Sequence, residues 1–211
     1  MQGFYSSHGP MSIPAIVLAG GRSSRMGRPK ALLPIPTSGD TFFDRVTRTL
    51  LEAGIGDVVV VVGADAAAIR AGARPPVGVR IIDNPDHDRG QLTSLLAGLG
   101  AVASTNPAAA LVTLIDVPLV TAETVRTLIA AQRDRSALIV RPVSRGRHGH
   151  PVIFGCELFS ELQRADPAQG AKQVVRAHAL DMVEVPIDDE GAFTDIDTRE
   201  EYERTLGPLR D

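Results

Sequence analysis

The chain reads as an α/β protein, a single three-layer, doubly wound domain over 13–211 with a mostly parallel sheet. Three observations predict it. Apolar strand-like runs alternate with helical patterns in β-α-β-α-β order from Ile16 to Ile82. Asp57–Val62 is an unbroken valine run, the pattern of a parallel strand covered on both faces. A glycine pair ends the first strand and an aspartate ends a later one, at the positions where open α/β sheets bind ligands.

Each element follows from local pattern. Ile16, Val17 and Leu18 form a short buried strand that stops at Gly20-Gly21, where the backbone turns without Cβ obstruction. Pro34–Asp40 is a turn cluster, and Phe42, Phe43, Val46, Leu50 and Leu51 give helical spacing over Thr41–Glu52, ended by Gly54 and Gly56. Asp65–Ala73 is a short helix and Val79–Ile82 a third strand. The polar loop Asp83–Gly90 leads to a helix over Leu92–Val102, opened by Gln91, Thr93 and Ser94. Strand Ala109–Ile115, helix Ala122–Gln132 and strand Ala137–Val140 follow. Arg141–His150 reads as a mobile basic turn before a strand at Pro151–Phe154, opened by a proline that cannot donate to a ladder. Helices at Glu157–Arg164 and Ala171–Ala179, a strand at Met182–Val185 and an acidic turn at Asp188–Gly191 precede a final helix, Arg199–Leu206. Thr198 and Glu201 are spaced to make its capping box.

Composition narrows the function classes. With 211 residues, 44% apolar and 22% charged, the chain can bury one substantial core, which argues against disorder. No apolar run approaches a membrane span, and a net charge of −3 argues against a nucleic-acid coat. Met1–Ser12 is read as a loose leader without signal-peptide character, with Met11 an alternative start, so the expected compartment is the cytoplasm. Cys156 is the sole cysteine, which excludes an intrachain disulfide and a thiolate cluster; it is expected in the core.

The chemistry concentrates in Ile13–Pro34. Arg22, Arg25, Arg28 and Lys30 put four cations within nine residues of a glycine turn, and exposed amides beside fixed positive charge suit a polyphosphate. Gly27 is followed by Arg28-Pro29, which rules out a Walker A loop, and Gly20-Gly21 lacks the spacing of a dinucleotide fingerprint. Asp116, before Val117-Pro118, is a carboxylate at the carboxyl end of an apolar strand, where open α/β sheets bind ligands. From Asp181 to Glu203 ten acidic residues face one basic residue, Arg199, so a cation site would join this acidic end to the basic loop. His148 and His150 lack a third ligand nearby and are not read as a metal site.

Leu18, Ala19, Gly20, Gly21, Arg25, Met26, Gly27 and Lys30 fit the pattern L-A-[GA]-G-x-x-x-R-M-G-x-x-K. The chain thereby resembles the nucleotidyltransferases that activate a phosphorylated acceptor with a nucleoside triphosphate, and among them the molybdenum cofactor cytidylyl- and guanylyltransferases. That resemblance implies a Rossmann-like fold of the nucleotide-diphospho-sugar transferase type, and transfer of CMP from CTP to the phosphate of molybdopterin with release of pyrophosphate. It implies Mg²⁺ held by Asp116 and Asp195, with Asp197 secondary. Arg25, Lys30 and Asp116 are the implied catalytic residues; Leu18, Ala19, Gly20, Gly21, Arg25 and Lys30, with Gly90, Thr93 and Ser94, are the implied nucleotide contacts. A turn like Gly149-His150-Pro151-Val152 closes over the acceptor in that family, and Gly170-Ala171-Lys172 matches a further turn more loosely. A molybdoenzyme or its chaperone is the implied protein partner.

The chemistry suits such residues, because an acceptor phosphate carries about −1.5 to −2 charge and needs no general base. Positioning and charge neutralisation are what remain for the protein to do. Gly20-Gly21 leans toward the guanylyl branch, Gly149–Val152 and Asp195–Thr198 toward the cytidylyl branch, and the later two motifs carry more weight. A sugar-phosphate or alditol-phosphate nucleotidyltransferase and a non-catalytic nucleotide-binding module are the alternatives.

Overall fold

The five valines Val58–Val62 form the second strand of the sheet, and all are fully buried in the computed structural model, which describes residues 12–209. Side chains alternate across a strand, so Val58, Val60 and Val62 enter one cluster and Val59 and Val61 the opposite one. The first cluster includes Phe43, Val46 and Leu50 from the helix Phe42–Glu52 (α1); the second includes Leu92, Leu95 and Leu99 from Gln91–Val102 (α3). Burying each such side chain is worth roughly 1.5–3 kcal/mol, so the two faces together hold the three layers.

The strands are β1 (Ala15–Ala19), β2 (Val58–Val62), β3 (Val79–Asp83), β4 (Ala109–Leu114), β5 (Ile139–Ser144), β6 (Arg147–His148), β7 (Val152–Gly155) and β8 (Met182–Pro186). Their order is β3-β2-β1-β4-β7-β5, with β6 hairpinned onto the end of β5 and β8 running parallel beside it. β3, β2, β1 and β4 are parallel and β7 is antiparallel to both neighbours, so the sheet is mixed and mostly parallel, as expected. The remaining helices are α2 (Ala66–Gly72), α4 (Ala122–Arg135), α5 (Phe159–Arg164), α6 (Lys172–Ala177) and α7 (Arg199–Leu206). The expected capping box of Thr198 with Glu201 forms at α7, and a second one joins Thr41 and Asp44 at α1.

The order reverses at β1, which has β2 on one side and β4 on the other. Leu18 pairs with Leu114, so the chain leaves both strands at the same level and the loops after Ala19 and Ile115 open a crevice between them. Topology alone therefore sets Gly20 beside Asp116.

Three expectations change or fall outside. Arg141–His150 is no mobile turn: β5 runs through Ser144, Arg145-Gly146 makes a two-residue turn with φ of 50° and 76°, and β6 pairs back. Two positive φ values match the twist of a hairpin, and Arg141 is tied to Glu184 at 2.6 Å and Arg147 to Glu190 at 2.8 Å. Cys156 is exposed, because it opens a 3-10 turn just beyond β7 instead of continuing the strand. The leader lies outside the described residues apart from Ser12, which is exposed. Among the described residues no helix is long and apolar enough to cross a membrane.

The acidic segment before α7 is wedged into the fold. A Cβ on Gly191 would collide with the Leu119 carbonyl, and one on Gly149 with the Ala192 carbonyl. Neither obstacle is a flexible side chain, so Gly191→Ala is expected to destabilise the protein by about 1–3 kcal/mol, read from a urea melt. An unchanged midpoint would show that this packing can relax.

Candidate functional site

The loop after β1 is anchored from beneath. Met26 is 6% exposed and packs with Leu33, Ile35, Phe42, Ile196 and Tyr202, a small core that docks α7 against the loop. Tyr202 donates its hydroxyl to the Pro34 carbonyl at 2.6 Å and stacks on Phe42. Ser23 Oγ donates to Asp65 at 2.8 Å and accepts the Lys30 amide at 3.0 Å, closing the loop on itself, while the Ala64 amide reaches the Gly20 carbonyl. Gly21, Arg22 and Arg25 are left exposed. A hollow of about 100 Å³ lies between loop and sheet, bordered by Gly20, Gly21, Ser23, Lys30, Asp65 and Asp116.

Lys30 crosses the crevice. Its Nζ donates to Asp116 Oδ2 at 2.8 Å and to Asp197 Oδ1, joining the basic loop to the acidic end over 167 residues. Burial opposes the ammonium charge, but Asp116 and Asp197 outweigh it and raise the Lys30 pKa above its ordinary value. The hydrogen bond from Lys30 holds Asp197 below the usual carboxylate range, and Arg25 lies near enough to add to this. Asp197, assigned a secondary place from the motif, is thus the carboxylate that shares the Lys30 ammonium with Asp116.

Asp195 lies beside them in a different environment. Burial, and then the charge of Asp116, push its carboxyl above the ordinary range. Asp116 Oδ1 is buried with no hydrogen-bond partner among the described residues, although the backbone is tied down by Ile196 N–H donating to the Asp116 carbonyl at 2.8 Å. A buried anionic oxygen without a donor and a neighbouring carboxylate under repulsion form an oxygen set that fits a hard divalent cation. No three His, Cys, Asp or Glu side chains converge as a ready cage among the described residues. His150 faces the same carboxylates, and burial lowers its pKa below the ordinary imidazole range.

The segment expected to meet the base is arranged differently from its sequence reading. Asn84 Nδ2 donates to Thr93 Oγ1 at 2.8 Å and to Ser94 Oγ at 2.9 Å, while Asn84 Oδ1 accepts the Asp86 amide. Thr93 Oγ1 is also within donating distance of the Gly90 and Asp86 carbonyls, and Ser94 is 3% exposed. Both hydroxyls therefore bind the Asp83–Gly90 loop to α3, and Ser94 Oγ would lie 2.6 Å from a Cβ on Gly20. Within 90–94, Gly90 and Gln91 are the exposed residues. Asn84 was missed; a lone Asn in a polar turn resembles any turn former, and only its burial marks it.

Beside the hollow opens a larger cleft of about 810 Å³, and Leu18, Gln91 and Leu114 border both. Its walls include Leu92, Leu95, Val112 and Phe154, with Arg141, His148, Lys172 and Arg176 also lining it. An apolar trough lined by Arg141, Lys172 and Arg176 suits a flat ring that carries an anionic tail.

Residues 15–183 match the model of the MobA-like NTP transferase domain. The chain belongs to that family. Among curated relatives, a nicotine blue oxidoreductase from Paenarthrobacter nicotinovorans is 32% identical, covering 92% of this chain and 96% of its own. A probable molybdenum cofactor guanylyltransferase from Mycolicibacterium paratuberculosis is 29% identical over 83% of this chain and 87% of its own. The molybdenum cofactor cytidylyltransferase of Escherichia coli is 27% identical over 90% and 94%. In solved structures the MobA-like fold recurs in Rv0371c from Mycobacterium tuberculosis H37Rv, with a TM-score of 0.79 and 28% identity over 93% of this chain and 97% of that one. The same protein solved with manganese gives 0.74 at 26% identity, over 92% and 98%.

Proposed function

We propose that this MobA-like protein transfers CMP from CTP to the phosphate of molybdopterin or its molybdenum form, releasing pyrophosphate. The observation that carries the reading is the Lys30–Asp116 pair at 2.8 Å, set directly under a glycine loop that leaves Gly21, Arg22 and Arg25 exposed. In this reading Gly20 and Gly21 cradle phosphate oxygens, flanked by Leu18 and Ala19, while Arg25 and Lys30 neutralise charge as pyrophosphate leaves. Asp116 and Asp195 would hold the metal, taken to be Mg²⁺, with Asp197 close by. When bound, that ion supplies positive charge to the leaving group. Gly90 and Gln91 meet the base, Thr93 and Ser94 shape that contact from behind, and the adjoining cleft takes the acceptor ring.

The acceptor phosphate already bears the charge of a nucleophile, so no residue has to remove a proton. What the protein contributes is approach: two anions held close, in line, with their repulsion screened by Lys30, Arg25 and the cleft cations. A cytoplasmic setting, where nucleoside triphosphates are available, and delivery of product to a molybdoenzyme or its chaperone belong to the same proposal.

Base choice rests on Gly149–Val152 and Asp195–Thr198, the two motifs that lean cytidylyl. The second reading, guanylyl transfer to the same acceptor, is favoured by Gly20-Gly21 and by the guanylyltransferases among the relatives. One screen separates these: pyrophosphate release from each of the four nucleoside triphosphates, with molybdopterin and with several sugar phosphates, in Mg²⁺ and in Mn²⁺. CTP with molybdopterin is expected to be preferred over GTP by at least about tenfold, which needs only about 1.4 kcal/mol. A guanylylated product would reassign the base; no pyrophosphate from any pair would sink the transferase reading and leave the non-catalytic nucleotide-binding module.

A further inference from the structure

The carboxylate of Asp189 accepts four hydrogen bonds. Its Oδ2 takes the Thr121 amide at 2.9 Å, the Thr121 hydroxyl at 2.9 Å and the Thr124 hydroxyl at 2.7 Å, and its Oδ1 takes the Gly191 amide at 3.0 Å. Thr121 is the N-cap of α4, a 14-residue helix whose chain arrives directly from Asp116 through Val117–Val120. An anion at the positive end of that helix is favoured twice, by the dipole and by charge-assisted bonds. Nothing in the reaction proposed above uses this group.

Asp189 begins a strap that ends at the site. Gly191 lies against the Leu119 carbonyl, Ala192 is buried with Val117 and Val120, and its carbonyl accepts the His150 amide at 2.8 Å. Phe193 packs against the same cluster beneath the Arg147 guanidinium, and Thr194 Oγ1 donates to the Glu190 carbonyl at 2.7 Å. Beyond them Ile196 is fully buried and its amide reaches the Asp116 carbonyl, so Asp195 hangs between an outer anchor at 189–194 and an inner one at Ile196. Asp197 is held otherwise: its amide donates to Glu201 of the α7 capping box at 2.8 Å, and its carboxylate accepts from Lys30.

We propose that Asp189 is a positioning residue that clamps the strap to the head of α4 and so presents Asp195 to Asp116. The inference rests on the reading of Asp116 and Asp195 as a metal-holding pair. It predicts an asymmetry: loosening Asp189 disturbs Asp195 and spares the Lys30–Asp197 contact, which has its own support.

The test is Mn²⁺ binding to the intact protein, followed by electron paramagnetic resonance without substrates, for wild type, Asp189→Ala, Asp189→Asn, Thr124→Val, Asp195→Asn and the double variant Asp189→Asn/Asp195→Asn. Loss of a group that orients a metal ligand costs about 10- to 100-fold in metal affinity, so Asp189→Ala is expected to weaken Mn²⁺ by at least about tenfold. Asp189→Asn, which keeps one acceptor oxygen, and Thr124→Val are expected to fall between it and wild type. Because Asp189 acts through Asp195, the double variant is expected to bind Mn²⁺ no more weakly than Asp195→Asn alone. Lowered melting temperatures with unchanged Mn²⁺ affinity would overturn the proposal by leaving Asp189 a merely structural clamp, as would additive losses in the double variant. Where Asp189→Ala does not fold, the other variants decide alone. Wild type that binds no Mn²⁺ would overturn the metal reading together with the proposal, whereas wild-type binding with no effect at Asp189 overturns the proposal only.

Discussion

Asp116→Asn is expected to abolish nucleotidyl transfer, with kcat lower by on the order of 10³-fold, while the melting temperature stays near that of wild type. Asn keeps the volume of Asp, and the backbone bond from Ile196 to the Asp116 carbonyl does not depend on the side chain. What disappears is the negative charge on a buried Oδ1 that has no hydrogen-bond donor among the described residues, and half of the anionic seat of Lys30. A hard cation loses far more on exchanging a carboxylate for an amide than the fold does. Pyrophosphate release under single-turnover conditions, alongside a thermal melt, measures both quantities. Activity near wild type would remove Asp116 from the mechanism.

Lys30→Met is expected to have two effects of opposite sign. Turnover falls by about 10²- to 10³-fold, more than nucleotide binding weakens, if the ammonium acts mainly as charge builds on the leaving pyrophosphate. Metal binding in the absence of nucleotide tightens by several-fold, roughly the effect of removing one partly screened unit charge from beside a cation site. The reason is that the Lys30 ammonium already neutralises Asp116 and Asp197, the first of which would hold a divalent ion together with Asp195. Steady-state kinetics and calorimetric titration with Mn²⁺ read the two effects separately. A change confined to KM would make Lys30 an ordinary binding residue, and weaker metal binding would show that it does not compete for those carboxylates.

Read alone, the chain already settles whatever depends on neighbours in sequence. Val58–Val62 announces a strand covered on both faces because an unbroken apolar run has no solvent side to offer. Thr198 with Glu201 announces the start of α7 because the two ends of a capping box sit three residues apart. The loop motif and Asp116 were legible as a pair because strand order in a doubly wound sheet brings such strand ends together, whatever the side chains do afterwards.

Side-chain direction was not legible, since it is decided by partners far along the chain. Thr93 and Ser94 look like free polar groups at a helix start until Asn84 is found holding both hydroxyls. Arg141–Arg147 looks like a solvated basic turn until Glu184 and Glu190, 43 residues on, hold it as a hairpin. Asp195 and Asp197 are two residues apart and alike in pattern, yet Lys30 reaches only Asp197, while Asp195 is left to burial and the charge of Asp116. Local pattern specifies where a backbone turns; which carboxylate then meets which cation depends on how α7 and the strap before it pack against the loop after β1, a contact that exists only once the whole sheet has formed.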